Sequence, residues 1–211
     1  MKVKGKQSPR AGNNHAESDP PGKLKLIESL KTLIETKDFN SITTAEIAKC
    51  AGTNEALIYW HFQDKRGLLH YVLEEYLLDH MALIDSELKK TKRAVDKLKK
   101  MIRLSFDVWG KNKIYAKIIL IEVRSFPGYF ESRSYRIVAA YANLMKAIIQ
   151  EGIESGEIRD DLPASVMRNS ILGAIEHNVL PGVVFDKAIS PKQRTDDLSK
   201  ILFEGISKKS R

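Results

Sequence analysis

Between Thr44 and Lys65 the chain collects side chains suited to a polyanion. Thr44 stands where a helix should begin, so its hydroxyl and the free N–H groups of that first turn suit a phosphate oxygen. Tyr59 offers a phenol O–H and His61 a ring N–H, both phosphate donors. Lys65 adds a full charge in the first turn of the following helix. Contacts of this kind hold a protein on duplex DNA without reading its sequence. Base edges need another set, and Thr53, Asn54, Glu55 and Ala56 supply it at the leading edge of a short helix. Glu55 has two readings. It can accept from a cytosine N4–H2 group, or it can complement the positive end of its own helix.

Catalytic patterns are missing from the rest of the chain. There is no GxGxxG, P-loop, HExxH or GxSxG. The five His are scattered (His15, His61, His70, His80, His177), and His70 and His80 are too far apart to chelate from one helix face. The expectation is a protein that is not an enzyme, with no cofactor and no metal site. The one cysteine, Cys50, excludes an internal disulfide and is expected as a core thiol of a short helix.

The elements that must position the polar set are short and well signalled. Thr43 with Glu46 three residues on forms a capping box, Gly52 ends that helix, and Asn54 can cap the next. The second helix, Glu55 to about His61, has only two turns and cannot stand alone, so Ile58 and Phe62 must hold it from beneath. They fill its inward positions, which leaves at least one of Tyr59 and Trp60 exposed. Asp64 caps a third helix carrying Leu68 and Leu69. Two helices across a Gly-bearing turn make a helix-turn-helix, whose second helix enters a DNA major groove.

The run T-x-E-I-A-x-x-A-G…L-I-Y-x-H-F-x-x-K-x-x-L-L, within residues 22–75, resembles the DNA-binding domain of the tetracycline-repressor (TetR) family of bacterial regulators. The resemblance implies that Trp60, with Tyr59, His61 and Lys65, contacts operator DNA. It also implies a homodimer formed by the last two helices as a four-helix bundle, and middle helices that enclose an effector. Later segments, E-V-R, then I-I-x-E-G-I-x-x-G-x-I-R-x-D, then G-A-I-E, look like the acyl-CoA-responsive fatty-acid-degradation repressors of that family.

Apolar periodicity divides the chain into residues 1–21, a basic tail expected to be disordered, residues 22–69, the reader, and residues 70–211, a helical effector-binding and dimerisation domain. Lys2, Lys4, Lys6 and Arg10 make the tail either a solvated segment or an arm along DNA. No strand pattern appears, so the fold is all-α with about nine helices. Gly110 is expected to end one, Ile114 to Arg124 to form a single buried helix, and Pro181–Gly182 to end another. No stretch is long and apolar enough to span a membrane, and the expected location is cytoplasmic.

The net charge of +8 does not come from the reader. Residues 1–80 hold 11 basic and 11 acidic residues, whereas residues 87–117 hold 11 and 3. Lys89, Lys90, Lys92, Arg93, Lys97, Lys99, Lys100 and Arg103 therefore form either a solvated basic face or a seat for the anionic head of an amphiphile, such as a long-chain acyl-CoA. Its tail would lie among Phe106, Trp109, Ile118, Tyr141 and Met145, with His177 nearby. Arg124 would be an inner anchor, or else pair internally with Glu122 or Glu176. The leading reading is a repressor released from a palindromic operator by such an effector. The alternative is an effector-independent DNA-binding protein whose helical domain binds a protein partner.

Overall fold

The computed structural model describes residues 19–185, 187 and 190–205. The basic tail, and with it the arm, lies outside the described residues. Within them the regular structure is helical: α1 (Pro21–Thr36), α2 (Thr44–Ala51), α3 (Ala56–Phe62), α4 (Lys65–Leu88), α5 (Ala94–Lys111), α6 (Lys113–Lys117), α7 (Arg133–Glu154), α8 (Ala164–Val184) and α9 (Pro191–Glu204).

Helices α1 to α3 and the start of α4 make a small bundle. Leu26, Ile27, Leu30 and Ile34 of α1 are fully buried against Phe39, Ile42 and Ile47. The capping box closes from both sides. The Thr43 hydroxyl accepts from the Glu46 N–H at 3.1 Å, and the Glu46 carboxyl, held below its usual range by Lys37, also accepts from the Thr43 backbone. Gly52, at φ 60° and ψ 39°, takes the left-handed turn that stops α2. Asp64 caps α4 by accepting from the Gly67 N–H at 2.7 Å. From there α4 runs 24 residues and carries the reader into the helical domain formed by α5 to α9.

Four expectations are corrected. Cys50 is exposed, because Ile47, Ala48 and Ala51 define the buried arc of α2 and Cys50 lies about 100° from its centre. Gly110 does not end α5, which continues to Lys111. Its missing side chain instead admits α9, since a Cβ there would meet the Pro191 ring at 3.1 Å. Helix α8 runs through Pro181 to Val184, its last turns held by buried Val179 and Gly182. One lost backbone donor is tolerated where packing holds the turn. The segment expected as one helix is α6 followed by a π turn, Ile118–Glu122, closed by the Val123 N–H on the Ile118 carbonyl at 3.1 Å.

That π turn touches the reader. Lys117 donates to the Lys37 carbonyl at 3.1 Å and lies 3.4 Å from the Asp38 carboxylate. Buried Glu122, its carboxyl pushed up by desolvation, accepts from the Phe39 backbone N–H. The turn that precedes α2 is thus gripped by the helical domain. π turns recur at functional positions because the widened ladder is easily rearranged.

Candidate functional site

The reader face is built by α3. Ile58 and Phe62 are buried at 0% and 6% exposure, while Tyr59 and Trp60 stand out at 53% and 82%. Two bulky aromatics on a two-turn helix thus turn much of their ring surface outward. Ala56 is exposed beside them, and Asn54 is exposed while its side chain accepts from the Ala56 N–H at 2.8 Å. His61 is half-buried against Phe62.

The structure gives other polar atoms of the set different partners. The Thr44 hydroxyl donates to the Glu55 carboxylate, tying the start of α2 to the start of α3. What remains of Thr44 for a phosphate is its backbone N–H at the helix N-terminus, and Glu55 braces the turn. The Thr53 hydroxyl is buried without a partner among the described residues. The Lys65 ammonium does not reach outward. It donates to the Phe39 carbonyl at 2.8 Å and the Ile42 carbonyl at 2.5 Å, over the Phe39 ring.

Lys65 is therefore expected to act through stability. Lys65→Met leaves two carbonyls without a charged donor and should cost about 1–3 kcal/mol in denaturant unfolding. The slope of operator affinity against salt should stay at its wild-type value. A slope flattened by roughly one unit with stability intact would return Lys65 to the phosphate-contacting set.

The second site lies within the helical domain, where α4, α5, α6 with its π turn, α7 and α8 enclose a cavity of about 60 Å³. Its wall is mostly apolar, with Leu77, Met81, Ile119, Val138, Leu172 and Ile175 contributing. Polar groups interrupt it at His80, Ser105, Tyr115 and Tyr141. Ser105 and Tyr141 share a hydrogen bond of 3.0 Å, and the His80 ring lies 5.9 Å from that of Tyr141. At the rim, Arg124 donates to both Glu176 carboxylate oxygens at 2.8 and 2.6 Å, and through Nε to the Ile119 carbonyl at 3.0 Å. This fork raises the Arg124 pKa and makes Glu176 its partner, with Glu122 facing the reader instead.

Of the effector residues expected from sequence, Trp109, Arg124 and Tyr141 line this cavity. Phe106, Ile118 and Met145 are fully buried in the surrounding core without lining it, and His177 is exposed on the outer face of α8. His80, Ser105 and Tyr115 were missed, and Glu176 was foreseen only as a candidate partner of Arg124. His80 had a signal: it interrupts the apolar stripe Leu73, Leu77, Ile84 at helical spacing.

The basic segment also reads differently once folded. Lys89 pairs with Asp85, Lys90 and Lys100 with Glu87, Arg93 with Glu157, Lys97 with Glu151 and Arg103 with Asp107. Lys99 stands over the Phe203 ring. Carboxylates from α4, α5, α7 and the turn after α7 thus pair with six of the eight basic residues, which weakens the argument for an anionic head there.

An exposed aromatic recognition helix, joined through one long helix to an all-helical domain with an apolar cavity, defines a DNA-binding regulator that answers a small molecule. Residues 26–72 match the family model described as bacterial regulatory proteins, tetR family, and residues 73–205 match that described as YsiA-like protein, C-terminal region. The chain belongs to the TetR family of transcriptional regulators. It is 24% identical over 189 residues to the fatty acid metabolism regulator protein of Bacillus subtilis, covering 90% of this chain and 97% of the relative. The fold superposes on the transcriptional regulator FadR from Bacillus subtilis in complex with stearoyl-CoA with a TM-score of 0.79, at 24% identity over 87% of this chain and 99% of that one. AibR in complex with isovaleryl coenzyme A and operator DNA gives 0.72, at 19% identity over 86% and 98%. The family is one of regulators, and no helix among the described residues is long and apolar enough to cross a membrane.

Proposed function

We propose that this protein is a homodimeric repressor that leaves its palindromic operator when an acyl-CoA enters the helical domain. The carrying observation is the apolar cavity, walled by the same α6 and π-turn segment that grips the turn ahead of α2. At about 60 Å³ the cavity holds only a few water-sized volumes, so an acyl chain must push its walls apart. A displaced π turn would carry Lys117 and Glu122 with it, and with them the attitude of the reader. The Arg124–Glu176 fork lies on the same wall, where an anionic or carbonyl group of the effector can compete for the guanidinium. Apolar side chains left exposed along α8 and α9, Val166 and Ile201 at 49% and 48%, support pairing with a second copy. A two-fold dimer presents two recognition helices to the two halves of a palindrome.

The test is fluorescence anisotropy of a labelled operator, selected for binding, with the protein bound. Acyl-CoAs of increasing chain length should release it with a clear length optimum, and coenzyme A alone should not. Release by none of them, or release indifferent to chain length, would overturn the assignment.

A further inference from the structure

The cavity contains more polar chemistry than a plain hydrocarbon chain can use. His80 is 7% exposed, and its Nδ1 is buried with no hydrogen-bond partner among the described residues. Beside it stand Ser105, 2% exposed, and the Tyr141 hydroxyl, which bond to each other at 3.0 Å. These three groups come from α4, α5 and α7, so three separate helices converge on one polar patch within a mostly apolar wall. Burial holds the His80 pKa down to about 4, so at neutral pH the ring is uncharged and offers one donor and one acceptor nitrogen. An uncharged imidazole beside two hydroxyls suits a neutral oxygen function. A carboxylate would find no countercharge among these three.

We propose that the cavity selects an acyl chain bearing a hydroxyl or oxo group, with His80 Nδ1 as its hydrogen-bonding partner and the Ser105–Tyr141 pair beside it. This rests on the acyl-effector reading above and adds the substituent. A group that hydrogen-bonds the ligand discriminates against the analogue lacking it, because the buried polar atom is then left unsatisfied. A saturated chain leaves His80 Nδ1 without a partner, as it already stands, and so forgoes the bond that a hydroxyl or oxo group gains.

Isothermal titration of the full chain provides the test. The probes are a saturated acyl-CoA and its monohydroxylated isomers with the hydroxyl at successive carbons, together with the corresponding free acids. One isomer, or two neighbouring ones, should bind about tenfold more tightly than the saturated chain, the worth of one such bond. His80→Leu should abolish that preference, so that no hydroxylated isomer binds it more tightly than the saturated chain does. His80→Gln, which restores a hydrogen-bonding group, should recover part of the preference. His80→Leu removes an unpartnered polar atom, so at neutral pH it should melt no lower than wild type, and His80→Gln carries the test if it does. Saturated binding with no isomer preferred, or a preference that survives His80→Leu, overturns this proposal and leaves the acyl-CoA reading standing. Failure of every thioester and every free acid to bind removes both.

Discussion

Gly67→Ala is expected to lower the melting temperature by about 6–12 °C and to cost more than tenfold in operator affinity. The junction between α3 and α4 explains the size of the effect. Gln63 turns the chain with φ 70° and ψ −42°, a conformation that side chains other than glycine rarely adopt. The Asp64 side chain then closes on the Gly67 N–H. This turn is so tight that a Cβ on Gly67 would lie 1.8 Å from the Phe62 carbonyl oxygen and 3.0 Å from its carbon. Both are backbone atoms, so no rotamer change can relieve the contact. The junction must open, at about 3 kcal/mol. Opening it rotates α3, whose last residue is Phe62, and so moves Tyr59 and Trp60 off the groove. Calorimetry and an operator titration check both halves. A Gly67→Ala protein that melts within about 2 °C of wild type and binds normally would show that the junction has more slack than its geometry allows.

Acid sensitivity should be the other large effect. Burial depresses the His80 pKa to about 4 from its ordinary 6.5. The unfolded chain therefore takes up this proton more readily than the folded one between those two values. The linkage then has a definite sign: the contribution is fully present above about pH 6.5 and is lost progressively as pH falls towards 4. A shift of roughly 2.5 units corresponds to about 3 kcal/mol. Other groups titrate in the same window. His70, half-buried and its pKa lowered by desolvation, acts in the same direction, and Glu122, pushed up by burial, acts in the opposite one. The comparison is therefore made against His80→Leu, in which those two remain. Between pH 7 and pH 4 the wild type should lose about 3 kcal/mol more unfolding free energy than the variant. Parallel stability curves for the two proteins would show that His80 ionises freely in the folded state.

Much of the reader was legible in the sequence because its signals act over a few residues. The capping box at Thr43 and Glu46, the left-handed Gly52, the Asp64 cap, and the split between inward Ile58 and Phe62 and outward Tyr59 and Trp60 depend on helical spacing and local hydrogen bonds. The all-helical class and the order of the helices follow from the same periodicity. Both are properties of adjacent turns.

Partners set by folding were mostly not legible. Lys65 carries a charge in a helix's first turn, which from sequence alone suits a phosphate, yet the carbonyls it serves lie 26 and 23 residues earlier. Lys97 meets Glu151 across 54 residues. For Arg124 the sequence offered an anchor role or a pair with Glu122 or Glu176, and only the fold selected Glu176, 52 residues on. Periodicity identifies which face of a helix is apolar but not which apolar residue borders a void. Phe106 and Met145 therefore looked equivalent to Trp109 and Tyr141 until five elements were brought together. Gly110 and Pro181 stop helices in isolation, but here the approach of Pro191 and the packing around Val179 and Gly182 let the helices continue. Local sequence determined the helices and the exposed face of the recognition helix. The cavity, its polar patch and the destination of each charge were decided by which helices pack together, because a burial cost or an ion pair exists only once its distant partner is in place.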